Sequence, residues 1–143
     1  WQLRPADVEV PFKSGGGGLL STMDDYLSFC RMILHGGSLN GNEVLSKATI
    51  ALMTRDQLGG LPRGQSNGPG YGYGFGFGFA VRTDDQATYP GSVGDLWWGG
   101  YAGTYFWIDP AEELIAVILV QAPKMRRKLR PLMRGLVYDA LIR

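Results

Sequence analysis

The segment Trp98-Gly99-Gly100-Tyr101 has the make-up of a backbone-lined reaction site. It follows the apolar pair Leu96-Trp97 and falls at a strand end. Two glycines strip side chains from that edge and let a substrate lie against the main chain. The Tyr101 backbone N–H that follows is the kind of donor that stabilises a developing oxyanion, worth about 2.7–4 kcal/mol in known cases. The pattern permits this chemistry without requiring it.

Competing patterns are weaker. Gly99-Gly100-x-x-Gly103 is part of a dinucleotide loop on paper, but such a loop opens a helix. Here Thr104-Tyr105-Phe106-Trp107-Ile108 follows, which is strand-like. The glycine run at 15–18 precedes a helix without the Lys-Ser/Thr pair of a phosphate loop, and reads as a flexible entry. One cysteine and one histidine exclude an internal disulfide and argue against zinc. Cys30 falls on an apolar helix face as inert core, and His35 at that helix's end as a cap. Asp24/Asp25 and Glu112/Glu113 are adjacent acid pairs; helix neighbours diverge, so Asp24/Asp25 are no catalytic dyad, and capping and turn roles suffice for the two pairs. Lys124, Arg126, Arg127, Lys128, Arg130 and Arg134 form a basic cluster. We read it as a solvated strand-to-helix connection. No metal or cofactor is expected.

The elements that position these residues come from periodicity. Met23, Tyr26, Leu27, Cys30, Ile33 and Leu34 form one helical face over about 22–35. Ser21 is its expected N-cap, with Asp24 three residues on, and Gly36-Gly37 its stop. A shorter helix is expected over 47–57 after Ser46, with Ile50 and Met53 inward. Residues 58–70 read as a Gly/Pro-rich loop. Tyr71, Tyr73, Phe75, Phe77 and Phe79 alternate with Gly72, Gly74, Gly76 and Gly78. This predicts one strand over about 71–83, aromatic on one face, with another backbone pressed on the glycine face. Strands follow at 96–99, 104–109 and 113–121, the last two joined by an Asp109-Pro110 turn. The run 114–120 lacks polar alternation and is expected to be covered on both faces. A final helix is expected over 128–142, with Pro131 in its first turn and Leu132, Leu136, Val137, Ala140 and Leu141 inward. The class is α+β: an antiparallel sheet packed with helices.

The 143 residues are one domain's worth of chain, and 45% hydrophobic content supplies a core. A net charge of +1 demotes nucleic-acid binding. No apolar run is long enough for a membrane span. The chain starts at Trp1 without a Met, so it is expected to be a piece of something longer.

Four segments, taken in order, resemble the C-terminal part of serine β-lactamase-like hydrolases, the group of class C β-lactamases, family VIII carboxylesterases and low-molecular-weight penicillin-binding proteins. They are Ser14-Gly15-Gly16-Gly17-Gly18-Leu19-Leu20-Ser21-Thr22-Met23-Asp24-Asp25-Tyr26, Gly74-Phe75-Gly76-Phe77-Gly78-Phe79, Trp98-Gly99-Gly100-Tyr101-Ala102-Gly103-Thr104 and Asp109-Pro110. The resemblance implies the C-terminal portion of the β-lactamase/transpeptidase-like fold, with Trp98, Gly99 and Gly100 lining substrate and the Tyr101 N–H in an oxyanion hole. Lactamases of this group carry Lys-Thr-Gly there, and many esterase-like members carry Trp-Gly-Gly. Trp98 in place of the lysine implies a neutral wall, better suited to an uncharged ester.

The family's nucleophile lies in Ser-x-x-Lys, and no serine here has a lysine three residues on. Its second motif is Tyr-x-Asn or Tyr-x-Ser. Tyr26-Leu27-Ser28 fits on paper, but sits inside an amphipathic helix and after the glycine segment. Both motifs normally precede the part seen here. The expectation is a fragment of a hydrolase acting by acylation and deacylation on a small ester or β-lactam-like amide, silent alone. Its expected partners are that substrate and either a missing N-terminal half or a second copy. The competing reading is a non-catalytic binding or assembly module, or a pseudoenzyme of the same fold.

Overall fold

The computed structural model describes residues 7–9, 11–17, 19–59, 61 and 69–141. Helix α1 is Met23–Leu34. Its N-cap is Thr22, one residue later than expected: the hydroxyl accepts the Asp25 N–H at 3.2 Å and donates to the Asp25 carboxylate at 2.9 Å. Asp25 thus stands in the place expected of Asp24, three residues after the cap. The helix ends as expected, with Gly37 donating to Met32 O and His35 exposed at the C-cap. Gly37, at φ 100°, has the Leu45 carbonyl where a side chain would stand.

A two-residue hairpin follows, β1 (Ser38–Leu39) and β2 (Asn42–Glu43), turned by Asn40-Gly41, both at positive φ. Helix α2 is Lys47–Met53, capped by Ser46. It stops four residues short of the expected end. Thr54 closes it onto the Ile50 carbonyl, and Asp56 then leaves to serve another element. The loop expected over 58–70 lies mostly outside the described residues.

The glycine-aromatic run is two strands, not one. β3 (Tyr73–Phe75) and β4 (Ala80–Arg82) pair antiparallel, with Tyr73 opposite Arg82. The chain reverses at 76–79, where Gly76 donates to Phe79 O and Gly78 takes φ 94°. The reversal also divides the aromatics. Tyr73 is buried towards one sheet face and Phe79 towards the other, while Tyr71 and Phe77 are exposed. The expected close approach to the glycines is present at three of the four. A Cβ would strike the Asp56 side chain at Gly74, the Met53 carbonyl at Gly76 and Ala87 at Gly72.

β5 (Leu96–Gly99), β6 (Tyr105–Asp109) and β7 (Leu114–Ile118) complete an antiparallel sheet in the order β3-β4-β5-β6-β7. On one face α1 and α2 cover Phe79, Val81, Leu96, Phe106 and Ile108 with Cys30, Ile33 and Ile50. The other face is aromatic: Tyr73, Trp97, Tyr105 and Trp107. β7 sends Ile115 and Val117 to the first face and Leu114, Ala116 and Ile118 to the second. It is covered on both faces as expected, though only half-buried at the sheet edge.

Helix α3, Arg126–Asp139, covers the aromatic face and departs most from expectation. It begins earlier, so Pro131 is its sixth residue rather than part of its first turn. Leu132, Leu136 and Ala140 point to solvent, and only Val137 and Leu141 of the expected stripe pack inward. The inward row is Arg130, Arg134 and Tyr138, spaced by four. The basic cluster is therefore not simply a solvated connection. Arg134 is fully buried and Arg130 half-buried, while Lys124, Arg127 and Lys128 are exposed.

The reason is what the sheet presents to α3. Buried Asp95 accepts Arg134 Nη2, with Arg82 at 3.8 Å. Arg134 also donates to the Pro90 carbonyl at 2.6 Å and the Tyr105 hydroxyl at 3.1 Å. Buried Asp109 accepts the Tyr138 hydroxyl at 2.6 Å and the Ser92 N–H at 2.9 Å. Arg82 spends its guanidinium on the carbonyls of Asp84, Asp85 and Tyr89. A leucine stripe would leave two buried carboxylates without these donors.

Burial pushes the Asp95 carboxyl up to about 6 against the pull of Arg134 and Arg82. Asp109 goes the other way: burial opposes, but the bonds from Tyr138 and Ser92 lower it. Two tests follow from this network. Arg134→Ala should cost about 3–5 kcal/mol in urea unfolding, because it strands a buried carboxylate; a loss under about 1 kcal/mol would contradict the buried pairing. The folded pKa of Asp95 lies above its ordinary 3.8, so its contribution is fully present below that value and lost as pH rises through about 6. Asp109 contributes the opposite slope, confined to acid below the ordinary carboxylate value. The urea midpoint should therefore fall from pH 5 to pH 7, and this slope should vanish in Asp95→Asn; a rise over that range would be inconsistent with the sign.

Candidate functional site

The four predicted site residues end one strand and open one turn. Alternation along β5 puts Leu96 towards α1 and Trp97 towards α3. Trp98 comes next and is 38% exposed. Its ring meets Phe75 edge-on at 4.9 Å. β4 pairs with β5 only at Leu96 and Trp97. From Trp98 onward that edge of β5 has no strand partner among the described residues. An aromatic wall and an open strand edge therefore coincide.

The turn is built by backbone bonds. Gly100 donates to Thr104 O at 2.9 Å, and Gly103 donates back to Gly100 O at 3.2 Å. Gly103, at φ 117°, packs against Val120 and Ala122, and β6 follows directly. This settles the dinucleotide pattern by context, since no helix opens there. Tyr101 stands at the turn's apex, 55% exposed. Its carbonyl accepts Arg126 Nη1 at 3.0 Å, and the same guanidinium lies 4.7 Å from its ring centroid.

The space beside Gly99 and Gly100 is already assigned. A Cβ on Gly99 would collide with the Arg130 guanidinium, and one on Gly100 with the Thr104 hydroxyl. The glycines thus admit a helix arginine and a neighbouring threonine, whatever else lies along the edge. Arg126, Arg130 and Phe75 join these residues only in the fold. The signal for the two arginines was their spacing of four with Arg134 and Tyr138, which marks one helix face.

Other candidates resolve into structural roles. Tyr26 is half-buried, edge-on to Phe106 at 5.1 Å, and burial with Cys30 nearby pushes its hydroxyl up to about 12. Ser28 donates to the Asp24 carbonyl inside α1. Tyr26-Leu27-Ser28 is core and helix surface, as its position implied. Cys30 is fully buried, and burial pushes its thiol up to about 12, so no thiolate is available. Gly15 and Gly16 lie in an exposed turn with open space around them. An apolar pocket of about 200 Å³ lies at the Leu96 end of β5, lined by Ile33, Ile50, Leu96, Ile108 and Pro110. None of these lining groups titrates. Among the described residues, no helix is long and apolar enough to cross a membrane.

A five-stranded antiparallel sheet between helices, with a Gly-Gly turn ending the strand beside an open edge, is a β-lactamase-like architecture. A family model described as Beta-lactamase matches residues 1–137, and the chain belongs to that family. Protein Rv1367c of Mycobacterium tuberculosis (strain ATCC 25618 / H37Rv) is 39% identical over 125 residues, 82% of this chain and 31% of that protein. Among solved structures, EstCE1, described as a hydrolase with promiscuous acyltransferase activity, is 31% identical with a TM-score of 0.73, covering 93% of this chain and 34% of that one. A β-lactamase (Mb2281c) from Mycobacterium bovis shares the fold at 23% identity and a TM-score of 0.64, covering 83% of this chain and 44% of that one. The chain spans about a third of the length of Rv1367c and EstCE1.

Proposed function

We propose that this chain forms one wall of the cleft of an esterase-like serine hydrolase that acts through an acyl-enzyme, and that the nucleophile is supplied from outside it. The observation that carries the reading is the coincidence of Trp98-Gly99-Gly100 with the stretch of β5 that β4 leaves unpaired. Substrate would lie along that edge, its acyl group against Trp98 and Phe75, with the Tyr101 N–H as one oxyanion donor. Trp98 offers no cation to a substrate carboxylate, which favours a neutral ester over an anionic lactam. The likeness to EstCE1, described as a hydrolase with promiscuous acyltransferase activity, supports acyl transfer as the chemistry. No serine in the chain carries Ser-x-x-Lys, so no activated nucleophile is supplied from within.

The test compares this chain with a version extended upstream to include Ser-x-x-Lys, using p-nitrophenyl butyrate and a chromogenic cephalosporin. The chain alone should turn over neither, and the extended protein should prefer the ester. Tyr101→Pro, which deletes the N–H, should lower kcat of the extended protein by about 10²–10³. Ester turnover by the chain alone, abolished by changing one serine, would overturn the missing nucleophile. An unchanged kcat in Tyr101→Pro would overturn the oxyanion role.

A second observation bears on partners. The outer face of α3 exposes Met125, Leu132 and Leu136, and the outer edge of β7 has no strand beside it among the described residues. We propose that both are covered in use, by further chain of the same protein or by a second copy. Sedimentation of the isolated chain should show self-association, and a clean, stable monomer would favour an autonomous module.

A further inference from the structure

Arg130 reaches from α3 to the turn after β5. Its Nη2 donates to the Gly100 carbonyl and, at 3.3 Å, to the Thr104 carbonyl, the two ends of that turn. The guanidinium also lies 5.6 Å from the Tyr105 ring centroid. Among the described residues its hydrogen-bond acceptors are these two main-chain oxygens. A charge held on carbonyls, half-buried, is a specific arrangement: an apolar side chain would cover the same surface with less desolvation.

The consequence lies in the peptide group. The Gly100 carbonyl and the Tyr101 N–H belong to one planar unit, and no peptide in the described chain is cis. In a trans peptide the two bonds point in opposite directions. Holding the carbonyl towards α3 therefore turns the Tyr101 N–H away from α3. A cationic donor on the carbonyl oxygen also polarises the peptide and strengthens its N–H as a donor. Gly99 is the complement of this contact, because its missing side chain is what lets the guanidinium reach the main chain.

We propose that Arg130 is a positioning residue that, with the Gly103 N–H on the same carbonyl, fixes the orientation of the Gly100–Tyr101 peptide; its catalytic meaning rests on the reading of Tyr101 as an oxyanion donor. The anchoring of α3 serves the same end, since the fully buried Arg134 lies one turn further along the same face.

The test uses isotope-labelled protein and two local NMR signatures, the Gly100 carbonyl ¹³C resonance and the Tyr101 amide order parameter. Arg130→Gln should move the Gly100 carbonyl upfield and drop the Tyr101 order parameter from about 0.85, typical of rigid backbone, to below about 0.6. Gly99→Ala, which displaces the guanidinium without altering charge, should give the same two changes. Arg130→Lys, which keeps the charge but loses the fork, should restore them only in part. Exposed Arg127→Gln should leave both untouched. Should Arg130→Gln not fold, Gly99→Ala decides. Unchanged Gly100 and Tyr101 signals in a folded Arg130→Gln or Gly99→Ala protein would overturn the proposal. These signatures do not depend on catalysis. A loosened turn together with a harmless Tyr101→Pro would uphold the positioning role and discard the oxyanion role alone.

Discussion

The salt bridge between Arg134 and Asp95 is the constraint on which the aromatic side of the molecule depends. Both side chains are fully buried, and burying one without the other is among the larger penalties a fold can incur. The pair forms where α3, the loop before β5 and the Tyr105 hydroxyl meet. That meeting point sets both the place and the rotation of α3. The helix stands on Trp107, Tyr138 and its arginines instead of approaching through small residues. Its remaining inward side chains are then delivered at fixed heights along the sheet: Tyr138 to Asp109, Arg130 to the turn after β5, Arg126 to Tyr101. The polar groups of this face act as one set because a single helix carries Arg126, Arg130, Arg134 and Tyr138.

β5 is where this architecture meets the proposed cleft. Its first half is paired on both sides and buried on both faces. Its second half loses one neighbour, gains an exposed tryptophan and runs into a turn whose main chain is gripped from below. A backbone N–H is a weak catalytic element unless its direction is fixed before substrate arrives. The features around Tyr101 all concern direction: a bonded carbonyl on either side of its Cα, a glycine that admits the bond, and a ring held under a guanidinium.

Much of the architecture was legible in the residues. α1, the β6–β7 hairpin and β5 follow from periodicity and turn chemistry, because each buries an ordinary apolar pattern. The Trp98–Tyr101 segment stands out as a candidate in the residues alone, and its glycines also have structural occupants, the Arg130 guanidinium beside Gly99 and the Thr104 hydroxyl beside Gly100. Two readings failed for physical reasons. Periodicity points leucines inward on α3, yet a sheet face presenting buried carboxylates and carbonyls selects arginines, and Leu132 and Leu136 stay outside. The carboxylates that α3 meets, Asp95 through Arg134 and Asp109 through Tyr138, are distant from it in sequence, and no local pattern announces the pairings. The glycine-aromatic run looks like one strand in sequence because its reversal contains no Asn, Asp or Pro. Glycines alone supplied the turn.

That run has a further property. Tyr71 to Phe79 repeats with a period of two, so sliding one arm of the β3–β4 hairpin by two residues sets aromatic where aromatic stood and glycine where glycine stood. The pattern that normally selects strand register is here degenerate. What breaks the tie comes from outside the hairpin: the Asp56 carboxylate on the Phe75 N–H, the Gln57 N–H on the Phe75 carbonyl, and the Met53 carbonyl on the Phe77 N–H. The end of α2 is thus the indexing mark of an otherwise uniform ruler. It decides where the hairpin stops, and so how much of β5 is left uncovered.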